Sequence, residues 1–155
     1  MAIQSRRYPA IPQEGTEVAY VDPELDAKAK EEITWCFRSL KEASTCCTLV
    51  LFLRGRCIAH MGAAALRCNG AQATAGTMCQ SIVGEDKGNY IPNLAVYPGK
   101  IEFTYLPSTA QALVLQPLGE AGVMLVCSDT QKGFTKLDLS WIACLSEKLD
   151  VTLDA

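Results

Sequence analysis

The stretch Ile101–Leu149 decides the fold: IEFTYLP, then ALVLQPLGEAGVMLVCS from Ala112 to Ser128, then GFTKLDLSWIACLSEKL from Gly133 to Leu149. It reads as an apolar run, two further apolar runs around the glycine-bounded turn Gly119–Gly122, and a helix with a marked start. The Thr135 hydroxyl can accept from an N–H of the first helical turn that has no partner within the helix. Asp138, three residues on, completes a short-armed capping box and suits the positive helix end. Phe134 before the cap and Leu139 after it fit a hydrophobic staple. Leu137, Trp141 and Leu145, with Ile142 and Leu149, form an apolar stripe at helical spacing, read as the packed face.

Outward from that stretch, the rest of the chain supplies a matching frame. Asp22 can cap a helix with Pro23 at its first position, running to about Ser44 or Thr45 with Ile33, Cys36, Phe37 and Leu40 on its apolar face. Cys46–Leu53 and Cys57–Met61 flank Arg54-Gly55-Arg56 and read as a hairpin. The lack of alternation in Thr48–Leu53 indicates a strand buried on both sides. A short helix is expected over Thr77–Val83, and short strands over Asn93–Val96 and Ile101–Leu106 around Pro98-Gly99. Ala112–Pro117 and Val123–Ser128 form the last hairpin, with Pro117 confined to a strand end or edge. Residues 1–21, broken by Pro9, Pro12 and Gly15, read as a flexible lead-in, and 22–155 as one domain. The class is α+β, an antiparallel sheet with the N- and C-terminal helices packed on one face.

Composition narrows the function. Of 155 residues, 49% are apolar and 20% charged, with net charge −3, which is ordinary for a globular domain and poor for nucleic-acid binding. No apolar run approaches the roughly 20 residues of a membrane helix. Eight cysteines lack any C-x-x-C spacing and His60 is the one histidine, so no metal site is expected and the thiols read as reduced and buried. Cys57 and His60, three apart, fall on opposite faces of a regular strand and can share a ligand only across a bulge. No nucleophile–base pair stands out, so no catalytic residue is assigned and the chain reads as non-enzymatic.

Profilin-like α+β folds, GAF and PAS domains among them, share this arrangement, and Gly133-Phe134-Thr135 with Asp138 and Trp141 after a hairpin resembles GAF domains. The strings Tyr97-Pro98-Gly99-Lys100-Ile101-Glu102-Phe103, Tyr105-Leu106-Pro107, Gln116-Pro117-Leu118-Gly119, Asp129-Thr130 and Lys132-Gly133-Phe134-Thr135 resemble a narrower family, the cofactor-assembly proteins of complex C. That resemblance implies a factor for cytochrome b6f maturation. It would support covalent attachment of the c-type haem to apocytochrome b6 on the stromal side of the chloroplast thylakoid, paired with a paralogue. Membrane helices would precede the soluble domain represented here. Tyr97, Glu102, Tyr105 and Gln116, polar-tipped residues around the Pro-Gly turn, are the expected partner surface. His60, Arg54 and Arg56 are the expected haem contacts, for a haem met transiently and not held as a cofactor. The alternative is a GAF-type small-molecule sensor with an enclosed pocket.

Overall fold

The apolar runs pair as their composition dictates. In the computed structural model, which describes residues 15–154, six strands form one antiparallel sheet in the order β1-β3-β2-β6-β5-β4. They are β1 (Gly15–Val21), β2 (Cys46–Leu53), β3 (Arg56–Ala65), β4 (Asn89–Ile91), β5 (Ala112–Leu118) and β6 (Gly122–Ser128). The helices are α1 (Ala27–Ala43), α2 (Thr77–Ile82) and α3 (Lys136–Leu153).

Both sheet faces are covered. Ile33, Cys36 and Leu40 of α1 and Ile142, Leu145 and Leu149 of α3 pack with Leu49, Leu51, Met61, Val114, Met124 and Val126 on one face. Val50, Phe52, Leu113, Leu115, Val123 and Leu125 point the other way, under Cys79 and Ile82 of α2 and Leu94, Phe103 and Tyr105 of the segment between β4 and β5. Alternate residues of β2, β5 and β6 therefore enter two cores, which is why these strands show no polar alternation. Each fully buried Leu or Ile contributes about 1.5–3 kcal/mol of hydrophobic stabilisation.

The terminal helices lie on one face as expected, and α3 begins as its sequence indicates. Thr135 Oγ1 accepts from Asp138 N at 3.1 Å, and Asp138 Oδ2 accepts from Thr135 N at 2.9 Å. The packed face is nevertheless rotated. Ile142, Leu145, Ser146 and Leu149 are buried, whereas Leu137 is 80% exposed. At about 100° per residue, Leu137 stands about 140° from Ile142.

Other elements differ from the expectation for identifiable reasons. Gly15–Val21, assigned above to the lead-in, forms β1 along β3, with Val18 opposite Gly62 and Val21 opposite Ala59. It is a half-exposed edge strand, so its hydrophobic signal is weak; residues 1–14 lie outside the described residues. Helix α1 starts four residues later than Pro23 suggested. The Asp22 carboxylate accepts from Glu24 N and is ion-paired with Arg56, while Asp26 Oδ1 accepts from Ala29 N at 2.8 Å and provides the cap. The strands expected at Asn93–Val96 and Ile101–Leu106 are absent. Leu94–Val96 and Pro98–Glu102 are 3₁₀ turns, closed by Tyr97 N→Leu94 O at 3.1 Å and Phe103 N→Lys100 O at 3.0 Å. Pro92, Pro98 and Pro107 deny that segment a continuous ladder. The pairing strand is Asn89–Ile91, whose ladder ends at Leu115. Pro117 lies beyond it, so its missing N–H falls where no strand pairs.

Candidate functional site

A bulge brings Cys57 and His60 together. Between Leu51 and Phe52 the β2–β3 register shifts: Leu51 faces Ala59, Phe52 faces Cys57, and Ile58 is the extra residue. Cys57 packs with Val50 and Phe52, and His60 lies opposite Val50 with its ring edge-on to Tyr105 at 6.2 Å. The two side chains thus share the face covered by α2, contrary to the regular-strand expectation. The segment after β3 closes over them. Cys57 Sγ donates to Gly70 O at 3.5 Å, and Cys68 Sγ lies 4.0 Å from His60 Nδ1. Gly70 has φ +80°, and a Cβ there would come within 2.7 Å of Tyr20 Cβ, so glycine is what lets the chain lie this close.

Burial sets the chemistry of this cluster. Desolvation lowers the His60 pKa, opposed by a hydrogen bond with the Gly70 backbone, so the imidazole is neutral near pH 7. Desolvation pushes the Cys57 thiol up to about 11. His60 is 0% exposed and its Nε2 has no hydrogen-bond partner among the described residues. The haem contact expected of His60 therefore does not fit: the ring is sealed behind Tyr105 and the Gly70 turn. No group of three His, Cys, Asp or Glu side chains among the described residues is arranged to hold a metal ion.

The expected partner residues do not form one surface. Tyr105 is in the core, its hydroxyl 3.8 Å from Cys79 Sγ, and burial raises its pKa far above the usual phenol range. It is unavailable to a partner because the segment from Phe103 to Leu106 turns inward. Glu102 caps α2: its carboxylate accepts from Met78 N at 2.9 and 3.1 Å and from Cys79 N at 3.4 Å. Gln116 is half-buried on β5, where its Oε1 would lie 2.7 Å from a Cβ on Gly88. Tyr97 is half-buried with its ring over Gly99. The side chains that this turn does present are Val96, 75% exposed, and Ile101, 81% exposed. Reading the segment as strands hid them; the 3₁₀ spacing turns both outward.

Arg54 and Arg56 are exposed at the β2–β3 turn. Arg54 (φ +51°) and Gly55 (φ +79°) have the paired positive angles of a two-residue hairpin turn. Arg56 pairs with buried Asp22, and Arg54 Nη2 donates to Asp154 O at 3.4 Å. Beside them is a groove of about 420 Å³, open to solvent, with Phe52, Ala75, Val83 and Val123 against Arg54, Gln80 and Glu120. It is not the enclosed pocket expected of a sensor. Among the described residues no helix is long and apolar enough to cross a membrane.

Comparison with known proteins separates fold from family. A type II free methionine-R-sulfoxide reductase from Thermoplasma acidophilum superposes with TM-score 0.65 at 12% identity, over 81% of this chain and 92% of that one. The GAF domain region of a putative membrane protein from Geobacter sulfurreducens PCA superposes with TM-score 0.62 at 12% identity, over 79% and 92%. At such identities the likeness concerns the fold, which is GAF-like. Residues 1–149 match the CCB2/CCB4 family, described as cofactor assembly of complex C. The chloroplastic protein CCB4 of Arabidopsis thaliana, likewise described as cofactor assembly of complex C, is 31% identical over 161 residues, covering 99% of this chain. The chain spans about half, 54%, of that relative's length.

Proposed function

We propose that this chain, which belongs to the CCB2/CCB4 family of complex C cofactor-assembly proteins, is a GAF-like recognition domain of a non-enzymatic factor for cytochrome b6f assembly in chloroplasts. In this reading it supports covalent attachment of the c-type haem to apocytochrome b6 on the stromal side of the thylakoid membrane, together with a paralogous member of the family. Membrane helices outside this sequence tether it. The observation that carries the reading is the match along nearly the whole chain to a family described by assembly and not by a reaction. The geometry agrees with it. The only histidine is buried and neutral, and the two 3₁₀ turns Leu94–Val96 and Pro98–Glu102 present two exposed apolar side chains, Val96 and Ile101. Haem, in this reading, is met in passing at the exposed Arg54 and Arg56 and is not retained.

Mixing this domain with the paralogous soluble domain tests the pairing. Light scattering on the eluting mixture is expected to give a 1:1 complex that Val96→Lys with Ile101→Lys weakens at least tenfold, through loss of buried apolar contact. Elution of each chain as it runs alone contradicts the pairing. The open groove beside Arg54 is the observation behind a second reading, small-molecule binding. That reading requires a compound whose stabilisation of the fold is lost in Val83→Glu.

A further inference from the structure

Two cysteines meet across β2 and β6 because β2 carries an extra residue there. Cys46 pairs with Ser128 and Thr48 with Cys127, so Cys47 between them has no partner of its own in the ladder. This is a second bulge, with two residues of one strand against one of the other. Cys127 belongs to the core under α2 and Cys47 packs against that same core, so the two side chains share a face of the sheet. Opposed residues of antiparallel strands have Cα atoms about 4.5–5.5 Å apart, within the range of about 4.4–6.8 Å that a disulfide spans.

The two thiols differ as an attacking and a resolving thiol must. Cys127 is fully buried, whereas Cys47 is half-buried and open to a reagent in solvent. Cys47 Sγ lies 3.5 Å from the Thr48 hydroxyl. Hydrogen bonding by the Cys127 thiol holds the Cys47 pKa below the ordinary thiol range, against the effect of burial. The same contact, with burial, raises that of Cys127. Thiolate character therefore collects on the sulfur that solvent reaches, whereas burial pushes the Cys36, Cys46, Cys57 and Cys79 thiols up.

We infer that Cys47 and Cys127 form a reversible redox site, a dithiol that a small disulfide of the glutathione type converts to an intramolecular disulfide between β2 and β6. The Cys47 thiolate attacks one sulfur of the incoming disulfide, whose S–S bond breaks, and a mixed disulfide forms as the first thiol leaves. Cys127 gives up its proton and attacks Cys47 Sγ, displacing the second thiol. One S–S bond is broken and one is made. The two cysteines lose two electrons and two protons, and the reagent departs as two thiols. The new bond ties the strands beside Thr45, whose hydroxyl lies 2.7 Å from Ser128 Oγ and donates to Gly133 O at 2.8 Å, where the chain turns into α3. The inference is independent of the assembly role, since it concerns this chain alone.

Oxidised glutathione added to the native protein, followed by alkylation and peptide mapping by mass spectrometry, tests it. Cys144→Ser serves as the background, because that exposed thiol would take glutathione by itself. Cys47 and Cys127 are expected in one cross-linked peptide, with both protected from alkylation and both freed again by dithiothreitol. In Cys127→Ala the reaction should stop at the mixed disulfide, leaving one glutathionyl group on Cys47. In Cys47→Ser the buried Cys127 should stay unmodified. Circular dichroism checks that both variants are folded, and mapping of the unaltered pair decides the matter without them. Thiols that stay free, a stable mixed disulfide on Cys47 with Cys127 present, or a bond from Cys47 to another cysteine overturns the inference. So does modification of Cys127 in folded Cys47→Ser.

Discussion

Glu102 belongs to the family-like turn, yet its carboxylate is occupied in holding α2. This helix has only six residues, and its N-cap, Gly76, offers no side chain to the first turn. Glu102 fills that role from 24 residues away, through Met78 N and Cys79 N, and Gly76 leaves the space: a Cβ there would come within 2.6 Å of Glu102 Oε2. In Glu102→Ala the freed N–H groups turn to water only partly. Loss of a cap costs about 0.5–2 kcal/mol, and a charge-assisted hydrogen bond contributes about 1.5–3 kcal/mol. Partial exposure of Glu102 and the weak dipole of so short a helix favour the lower part of these ranges, so about 1.5 kcal/mol is expected. For a domain of this size that corresponds to a fall of about 3–6 °C in Tm. Glu102→Gln keeps one acceptor oxygen and should lose about half as much. Urea denaturation followed by far-UV circular dichroism measures both. If Glu102→Ala unfolds at the native midpoint, or if Gln costs as much as Ala, the cap is not what Glu102 provides. Pairing with the paralogue should survive Glu102→Gln, because the carboxylate faces α2.

Three other outcomes follow from local physics. The His60 pKa is lowered in the fold, so the unfolded chain binds the extra proton first: the His60 contribution is whole above about pH 6.5 and is lost as pH falls through and below that value. His60→Gln should flatten the stability profile between pH 7 and 5 by up to about 1.4 kcal/mol per pH unit; an unchanged slope contradicts a buried neutral imidazole. Thr135→Ala should cost about 1 kcal/mol in urea denaturation and Thr135→Ser almost nothing, whereas equal losses would mean that the capping box is not the source. Thiol labelling of the native protein should modify exposed Cys144 first and spare Cys36 and Cys79, whose thiols burial pushes up to about 12 and about 11; early labelling of either contradicts the packing.

What could be read from the residues depended on how local the determining physics was. The capping box of α3 and the β2–β3 and β5–β6 hairpins rest on neighbours within a few positions, and they form as expected. The start of α1 was harder to read. Asp22 and Asp26 are both good caps, and the choice between them is made by Arg56, 34 residues from Asp22. Edge strand β1 and the shared face of Cys57 and His60 depend on the register of distant strands, which no local pattern encodes. The site residues were the least legible. Tyr105 and Glu102 are polar-tipped but turned inward, serving Cys79 and α2, while Val96 and Ile101 project from 3₁₀ turns that look like strands in hydrophobicity alone. Leu137 was legible as part of a stripe, but hydrophobic spacing alone does not say which arc of the helix meets the sheet, and it stands at the exposed end of that arc while Trp141 packs against the core.

The proposed role can be examined where it acts. In chloroplasts lacking the native protein, haem staining of cytochrome b6 after denaturing electrophoresis reports covalent haem independently of how much complex accumulates. The expected result is cytochrome b6 without covalent haem, restored by the intact protein and poorly by one carrying Val96→Lys and Ile101→Lys in this domain. Covalent haem retained on cytochrome b6 in the absence of the protein would contradict the assembly role.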